Sequence, residues 1–344
     1  MRIVIVPSVL HDRSGVRIGA SRVQAIVMEE FGPPEVLVLH EVADPVCGPG
    51  QVLIEVSFSS VTFVETQVRS GSAPHVSMLP QLPTVPGNGV AGLVVAVGPG
   101  IDKEVVGARV VSTTGGIGGY AGLVSVPADG LIPVPPELAL RDAAALLADG
   151  RTAVGLLDRV AIEPGAAVLV EAGAGGVGSL LVQLAKRAGA VVVAAAGGEH
   201  KLEVARSLGA DVAVDYERGG WTEQVTAALD GAGVDVVFDG VGGSIGRDAF
   251  GLLRPGGRLC TFGMASGTFA AVSEQELADR GVTQVRGARS TPVELSGLTA
   301  RALAGAVAGD LRPVIGQQLP LARAGDAHRA IENRATIGKT LLLP

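Results

Sequence analysis

The sequence predicts an α/β protein in which a doubly wound parallel sheet is joined to a second, β-rich domain with the character of an irregular partial barrel. Three observations predict it. A chain of 344 residues is longer than one hydrophobic core usually spans, so two domains are expected. From about Val168 to Ala288, strand-like apolar runs alternate with helix-period segments, as in a parallel sheet covered on both faces. From Val23 to about Ala128, short apolar runs are broken by glycine and proline turns. Hydrophobic residues make up 47% of the chain but aromatics only 3%, so Ala, Val, Leu and Gly must close the core through tight helix–sheet contacts.

Taken in order, the β-rich part offers strands at Gln24–Met28, Gln51–Phe58, Gly92–Val97, Arg109–Ser112 and Leu123–Pro127. Leu131 to Pro136 is proline-rich and extended, and a helix begins at Arg141 to Leu147. The alternating part offers strands at Val168–Ala172, Val191–Ala196, Val212–Asp215, Asp235–Asp239, Arg258–Phe262 and Thr283–Arg286. Between them lie helices at Ser179–Ala188, Glu199–Leu208, Trp221–Leu229, Ile245–Leu253 and Glu274–Arg280. Six such strands make a full doubly wound nucleotide-binding domain. A helix at Leu295–Ala308 and strands at Val314–Gln318 and Lys339–Leu343 then return to the first domain, which is therefore discontinuous.

The net charge of −7 and the lack of any basic run argue against nucleic acid and anionic membrane surfaces as partners. Cys47 and Cys260 stand far apart and form no disulfide or metal framework, which fits a reducing cytoplasm. No apolar stretch approaches a membrane span. Residues 1–22 read as an extension or as a misplaced start ahead of Val23, and not as a signal peptide.

One segment carries most of the functional information. The apolar run Val168 to Ala172 leads directly into Gly173, Gly175, Gly176 and Gly178, and a helix follows with apolar residues at Val177, Leu180, Leu181 and Leu184. Strand, glycine turn and helix in that order form a dinucleotide site. The glycines permit a tight turn and close approach of a pyrophosphate, which the free N–H groups and dipole of the helix N-terminus stabilise. The alternative reading is an ordinary tight strand-to-helix turn. An NAD-preferring site also wants a carboxylate at the tip of the second strand, yet that strand ends Ala194-Ala-Ala-Gly197-Gly198. Lys201, one turn into the next helix, could meet a 2′-phosphate or could simply be solvated.

Several further stretches, in order and spacing, give the chain a wider likeness: Gln24 to Pro33, Pro86-Gly87, Gly119-Tyr120-Ala121, Ala143 to Ala153, Val236 to Gly243, Arg254 to Leu259, Phe262 to Gly267 and Gly338-Lys339. From about Val23 to Pro344 the chain resembles the medium-chain dehydrogenase/reductases, in their zinc-free quinone oxidoreductase branch. The resemblance implies a Rossmann domain over residues 149–290. It also implies a GroES-like partial barrel over 23–148 that is completed by 291–344.

The resemblance also implies NADPH as coenzyme. Its contacts would come from Thr152, the loop Gly173, Gly175, Gly176, Val177 and Gly178, then Gly197, Lys201, Tyr216, Val241, Phe262, Gly263, Met264 and Lys339. Gly197 departs from the serine often found there, and Tyr216 reads equally as a packed loop aromatic. Zinc-dependent relatives need a cysteine and a Gly-His-Glu segment, where this chain has Ser59 to Thr62 and Gly87-Asn88-Gly89, so no metal is expected.

Without a Lewis acid, hydride transfer to a quinone or α,β-unsaturated carbonyl is the easier chemistry. By the resemblance Thr62 can donate a hydrogen bond to the acceptor's carbonyl oxygen or to the nicotinamide ribose, and Tyr120 is either proton donor or packing. Glu65 and Arg69 read as a structural pair. An enoyl reductase acting on a biosynthetic thioester uses the same chemistry, and a non-catalytic NADPH sensor is the reading from another class. By analogy a homodimer would form along the strand Thr283–Arg286.

Overall fold

The computed structural model describes residues 22–286 and 291–344; the expected extension 1–22 falls almost wholly outside them. The first part comprises the hairpin β1 (Arg22–Val27) and β2 (Val38–Ala43), β3 (Gln51–Val61), helix α1 (Phe63–Ser70), β4 (Gly89–Val97), β5 (Arg109–Thr113), β6 (Leu123–Pro127) and β7 (Ile132–Pro133). Helix α2 (Leu140–Arg159) leads into β8 (Ala167–Glu171), α3 (Gly176–Arg187), β9 (Val191–Ala196), α4 (Glu199–Ser207), β10 (Val212–Asp215) and α5 (Trp221–Ala228). Then follow β11 (Val234–Asp239), α6 (Gly243–Leu252), β12 (Leu253–Thr261), α7 (Glu274–Asp279), β13 (Thr283–Arg286), α8 (Pro292–Val307), β14 (Ile315–Pro320), α9 (Ala324–Glu332) and β15 (Lys339–Leu343).

Two large sheets result. The six-stranded sheet runs β10-β9-β8-β11-β12-β13 with every pair parallel. Counted within the domain, that order is 3-2-1-4-5-6. The order reverses between β8 and β11, and a crevice opens at the carboxyl ends of those strands. The other sheet runs β14-β15-β3-β4-β5-β7, with β6 also pairing β3. It is antiparallel apart from the β14–β15 pair, so the C-terminal strand does return to the β-rich part.

Helix α2 joins the two. It packs on β3, β4 and β5 on one side and on α3 and α8 on the other. One core cluster accordingly runs from Ala91 and Val111 of the barrel through Leu146 and Leu147 to Val168, Val170 and Val236 of the parallel sheet. Gly150 of α2 is one reason the helices can approach, since a Cβ there would lie 2.8 Å from the Ala302 side chain of α8.

The sequence reading missed β2, α1 and α9. All three are short and half-exposed, and α1 buries polar Glu65, Thr66 and Arg69 in place of an apolar stripe. Arg69 pairs with Glu332 of α9, whereas the sequence reading coupled it to Glu65.

Gly178 seats α3 against β8, for a Cβ there would overlap the Ala172 carbonyl. Gly178→Ala is expected to cost about 1–3 kcal/mol through overpacking. Urea unfolding checks this, and an unchanged midpoint would refute the close-approach role.

Candidate coenzyme and acceptor site

The glycine loop sits where the strand order reverses. Ala172 leaves β8 with φ of 48°, a left-handed conformation unusual for a residue with a Cβ, and turns the chain toward α3. The amide of Gly173 donates to Ala195 and that of Gly175 to Ala172, and Ser179 already bonds back to Gly175. The first-turn N–H groups of Gly176, Val177 and Gly178 precede any intrahelical acceptor and open outward as an anion cradle.

The loop is fixed from below. A Cβ at Gly176 would overlap the Asp149 carboxylate, and Asp149 accepts a hydrogen bond of 3.0 Å from the buried Lys339 Nζ. Gly338 donates its N–H to Ala174 at 2.7 Å. Lys339 was expected to touch the coenzyme. It is only 4% exposed, and its ammonium is held by Asp149, so the structure gives it the task of supporting the loop.

At the tip of β9 the expected groups meet others the sequence reading missed. Lys201 Nζ donates to the Arg334 carbonyl at 2.6 Å, and the Arg334 guanidinium reaches Ala265 at 3.2 Å. Partial burial lowers the Lys201 pKa, nearby Glu217 opposes that, and Arg334 adds to it. Tyr216 stands alongside, its phenol pushed up to about 12 by burial despite the neighbouring Arg334. Two cations, Lys201 and Arg334, therefore lie near one another at this tip, each bonded to a backbone carbonyl.

The same place corrects one expectation. The sequence reading found no carboxylate at this tip, but Glu217, from the turn after β10, covers Gly197 so closely that a Cβ there would overlap it. A serine at 197 has no room unless Glu217 moves aside.

On the other side of the crevice, Val241 is buried. Its N–H is shared between Glu171 and Asp239, at 3.1 and 3.2 Å, so no backbone donor is left there for a coenzyme. Glu171 and Asp239 end adjacent strands and are both fully buried. Desolvation, reinforced by the neighbouring Asp239, raises the Glu171 pKa well above the carboxylate range. Phe262, Gly263 and Met264 follow β12. A Cβ at Gly263 would lie 2.6 Å from the Gly240 carbonyl, which keeps this loop tight against β11. Phe262 and Thr152 line a common cavity of about 520 Å³. The Thr152 hydroxyl bonds back to Ala148 at 2.7 Å.

Thr62 and Tyr120, the two expected catalytic residues, come from the β-rich part, Thr62 between β3 and α1 and Tyr120 between β5 and β6. The Thr62 hydroxyl donates to Glu65 at 2.9 Å, and Glu65 also accepts from the Asn88 N–H at 2.8 Å. Burial raises the Glu65 pKa against those hydrogen bonds. The proton of Thr62 is thus committed to Glu65, which corrects its expected role as donor to the acceptor. Tyr120 is 0% exposed and pairs with His328 Nε2 at 3.0 Å, ring edge to ring face. Burial raises its pKa well above the usual value, with Glu65 adding to the effect. A phenol this buried and this weakly acidic packs the barrel. The alternative role of proton donor does not fit.

Residues 59–62 and 87–89, with Glu65 near them, offer hydroxyls, an amide and a single carboxylate. That set does not make a zinc site. Among the described residues, no group of three His, Cys, Asp or Glu side chains converges to hold a metal. None of the described helices is long and apolar enough to cross a membrane.

Burial lowers the His328 pKa from 6.5 to about 3, so the folded protein holds it neutral. The unfolded chain binds a proton below pH 6.5, and this contribution to stability is therefore lost as pH falls from 6.5 toward 3. Urea midpoints should fall more steeply over that window in the parent than in His328→Gln. Parallel curves would contradict the buried neutral imidazole.

Comparison with known proteins supports this geometry. Residues 48–136 match the family model "Alcohol dehydrogenase GroES-like domain", and residues 176–299 match "Zinc-binding dehydrogenase". The chain is 35% identical to a 2-haloacrylate reductase of Burkholderia sp, over 94% of this chain and 99% of the relative. A mycobacterial protein solved in complex with NADPH is 36% identical with a TM-score of 0.84, over 94% of this chain and all of that one. The Escherichia coli quinone oxidoreductase complexed with NADPH is 29% identical with a TM-score of 0.85, over 93% and 100%. Sheet order, glycine loop and these relatives agree: the chain belongs to the medium-chain dehydrogenase/reductase superfamily, in its quinone oxidoreductase-like branch.

Proposed function

We propose that this protein is an NADPH-dependent reductase of quinones or α,β-unsaturated carbonyl compounds, working without a metal ion. The observation that carries the reading is the paired placement of Lys201 and Arg334 at the tip of β9, one side of the crevice whose centre is the amide cradle of Gly176 to Gly178. A dianionic 2′-phosphate needs such cations, and a pyrophosphate needs such a cradle.

When bound, NADPH supplies the hydride, and a conjugated acceptor takes it at carbon while spreading charge onto oxygen. The chain's own residues bind and orient. Gly176, Val177 and Gly178 would hold the pyrophosphate, Lys201 and Arg334 would hold the 2′-phosphate, and Tyr216 would close the adenosine side. Thr152 and Phe262 wall the cavity in which an acceptor would meet the nicotinamide. Proton delivery falls to solvent, since the Thr62 hydroxyl is engaged by Glu65 and the Tyr120 hydroxyl by His328. The relatives named for haloacrylate and quinone reduction support the substrate class. The reading carries with it a cytoplasmic homodimer joined along the edge strand β13.

Lys201→Ala and Arg334→Ala should each weaken NADPH binding about ten-fold, the worth of one charge-assisted hydrogen bond to phosphate, and leave NADH binding within about two-fold. Fluorescence titration with each coenzyme decides this, and equal losses for both would remove the phosphate role. Glu217 faces the same phosphate with the wrong charge. Glu217→Gln should therefore raise the NADPH-to-NADH preference by roughly five-fold at low salt. An unchanged ratio would place Glu217 outside the coenzyme's reach.

A further inference from the structure

The cavity beside Thr152 has a chemical character that hydride transfer does not require. Its wall includes three arginines, Arg151, Arg159 and Arg286, while its described lining holds no carboxylate. That is unexpected in a chain of net charge −7. Two of the arginines belong to one stripe of α2: Arg151, Gly155 and Arg159 stand four residues apart and face the same way. Glycine in a helix interior weakens the helix relative to alanine. Here it removes a side chain between the two guanidinium groups and lets Leu298 of α8 close the far wall, since a Cβ would meet Leu298 at 3.1 Å.

The three cations are not equivalent. Arg159 donates to the Arg286 carbonyl at 3.4 Å, and Arg286 Nε bonds Gln284 at 3.0 Å. Arg151 makes no hydrogen bond and no ion pair among the described residues, although it is half-buried. Burial lowers its pKa, and only the field of Asp149 opposes that. Its five donors thus have no partner within the described protein and face the cavity, where a ligand acceptor can take the place of water. Its neighbour in sequence, Thr152, lines the same cavity and so does Phe262, so a ligand bonded to Arg151 lies within the acceptor's space. The volume of about 520 Å³ suits a small organic molecule.

We infer that Arg151 is the anchor of an anion subsite in the acceptor cavity and that the acceptors this protein selects carry a carboxylate. This rests on the reading of the cavity as the place where the acceptor is reduced, and it narrows that reading to unsaturated carbonyl compounds bearing an acid group. Planar guanidinium and planar carboxylate pair through two parallel hydrogen bonds, which fixes the orientation of the conjugated chain as well as its affinity. A neutral quinone can accept a hydrogen bond from Arg151 but forms no ion pair with it.

A matched pair of probes tests this: 4-oxopent-2-enoate and its methyl ester, titrated by calorimetry into the protein saturated with oxidised coenzyme, which permits binding without turnover. The acid should bind the parent at least ten-fold more tightly than the ester. Arg151→Gln should erase that difference by weakening the acid alone, and Arg151→Lys should restore part of it. Equal affinity of acid and ester for the parent, or equal loss of both in Arg151→Gln, would overturn the subsite. Coenzyme affinity measured on the same samples keeps the two claims apart. If the parent binds no coenzyme, the reductase reading fails. If only Arg151→Gln loses coenzyme, Arg151 serves the coenzyme and the acceptor subsite is refuted.

Discussion

The buried ion pair between Lys339 and Asp149 ties the molecule together. Lys339 opens the last strand of the barrel, Asp149 lies midway along α2, and the carboxylate presses against the glycine with which α3 begins. Three parts of the chain separated by up to 190 residues meet at one contact, and they meet under the amide groups that form the anion cradle. A buried charge pair is not a cheap source of stability, because both ions lose their hydration. It is specific, however. Removing either partner strands the other's charge in the core, so the barrel, the joining helix and the nucleotide loop are held in one register.

That constraint explains why the functional crevice can be built from distant residues. With the C-terminal strand fixed beneath the loop, the segment before it is carried over the tip of β9. There Arg334 meets Lys201 on one side and the loop after β12 on the other. The C-terminal return of the chain thus completes both the barrel and the coenzyme site. The price of such convergence is a crowded tip, where Glu217 lies against Gly197 and opposes the charge that Lys201 and Arg334 provide.

Much of this could be read from the residues alone. Alternation of apolar runs with helix-period segments gave the six parallel strands, and Gly173 to Gly178 marked the turn at which their order reverses. What could not be read is burial and partnership. Tyr120 and Thr62 carry hydroxyls in family-like positions, but nothing local says that His328, 208 residues on, and Glu65 consume them. Lys339 looks like a coenzyme ligand until its depth is known. Glu217 and Arg334 are not legible from the residues that follow β9, because they reach its tip from the turns after β10 and α9.

The most direct test of the account is equilibrium titration of the purified protein with NADPH and, separately, NADH, followed by the enhancement of nicotinamide fluorescence. The account predicts saturable binding of one coenzyme per chain, tighter for NADPH and weakened for NADPH alone as salt is raised. Absence of binding by either coenzyme at millimolar concentration, or tighter binding of NADH at every salt concentration, would contradict it.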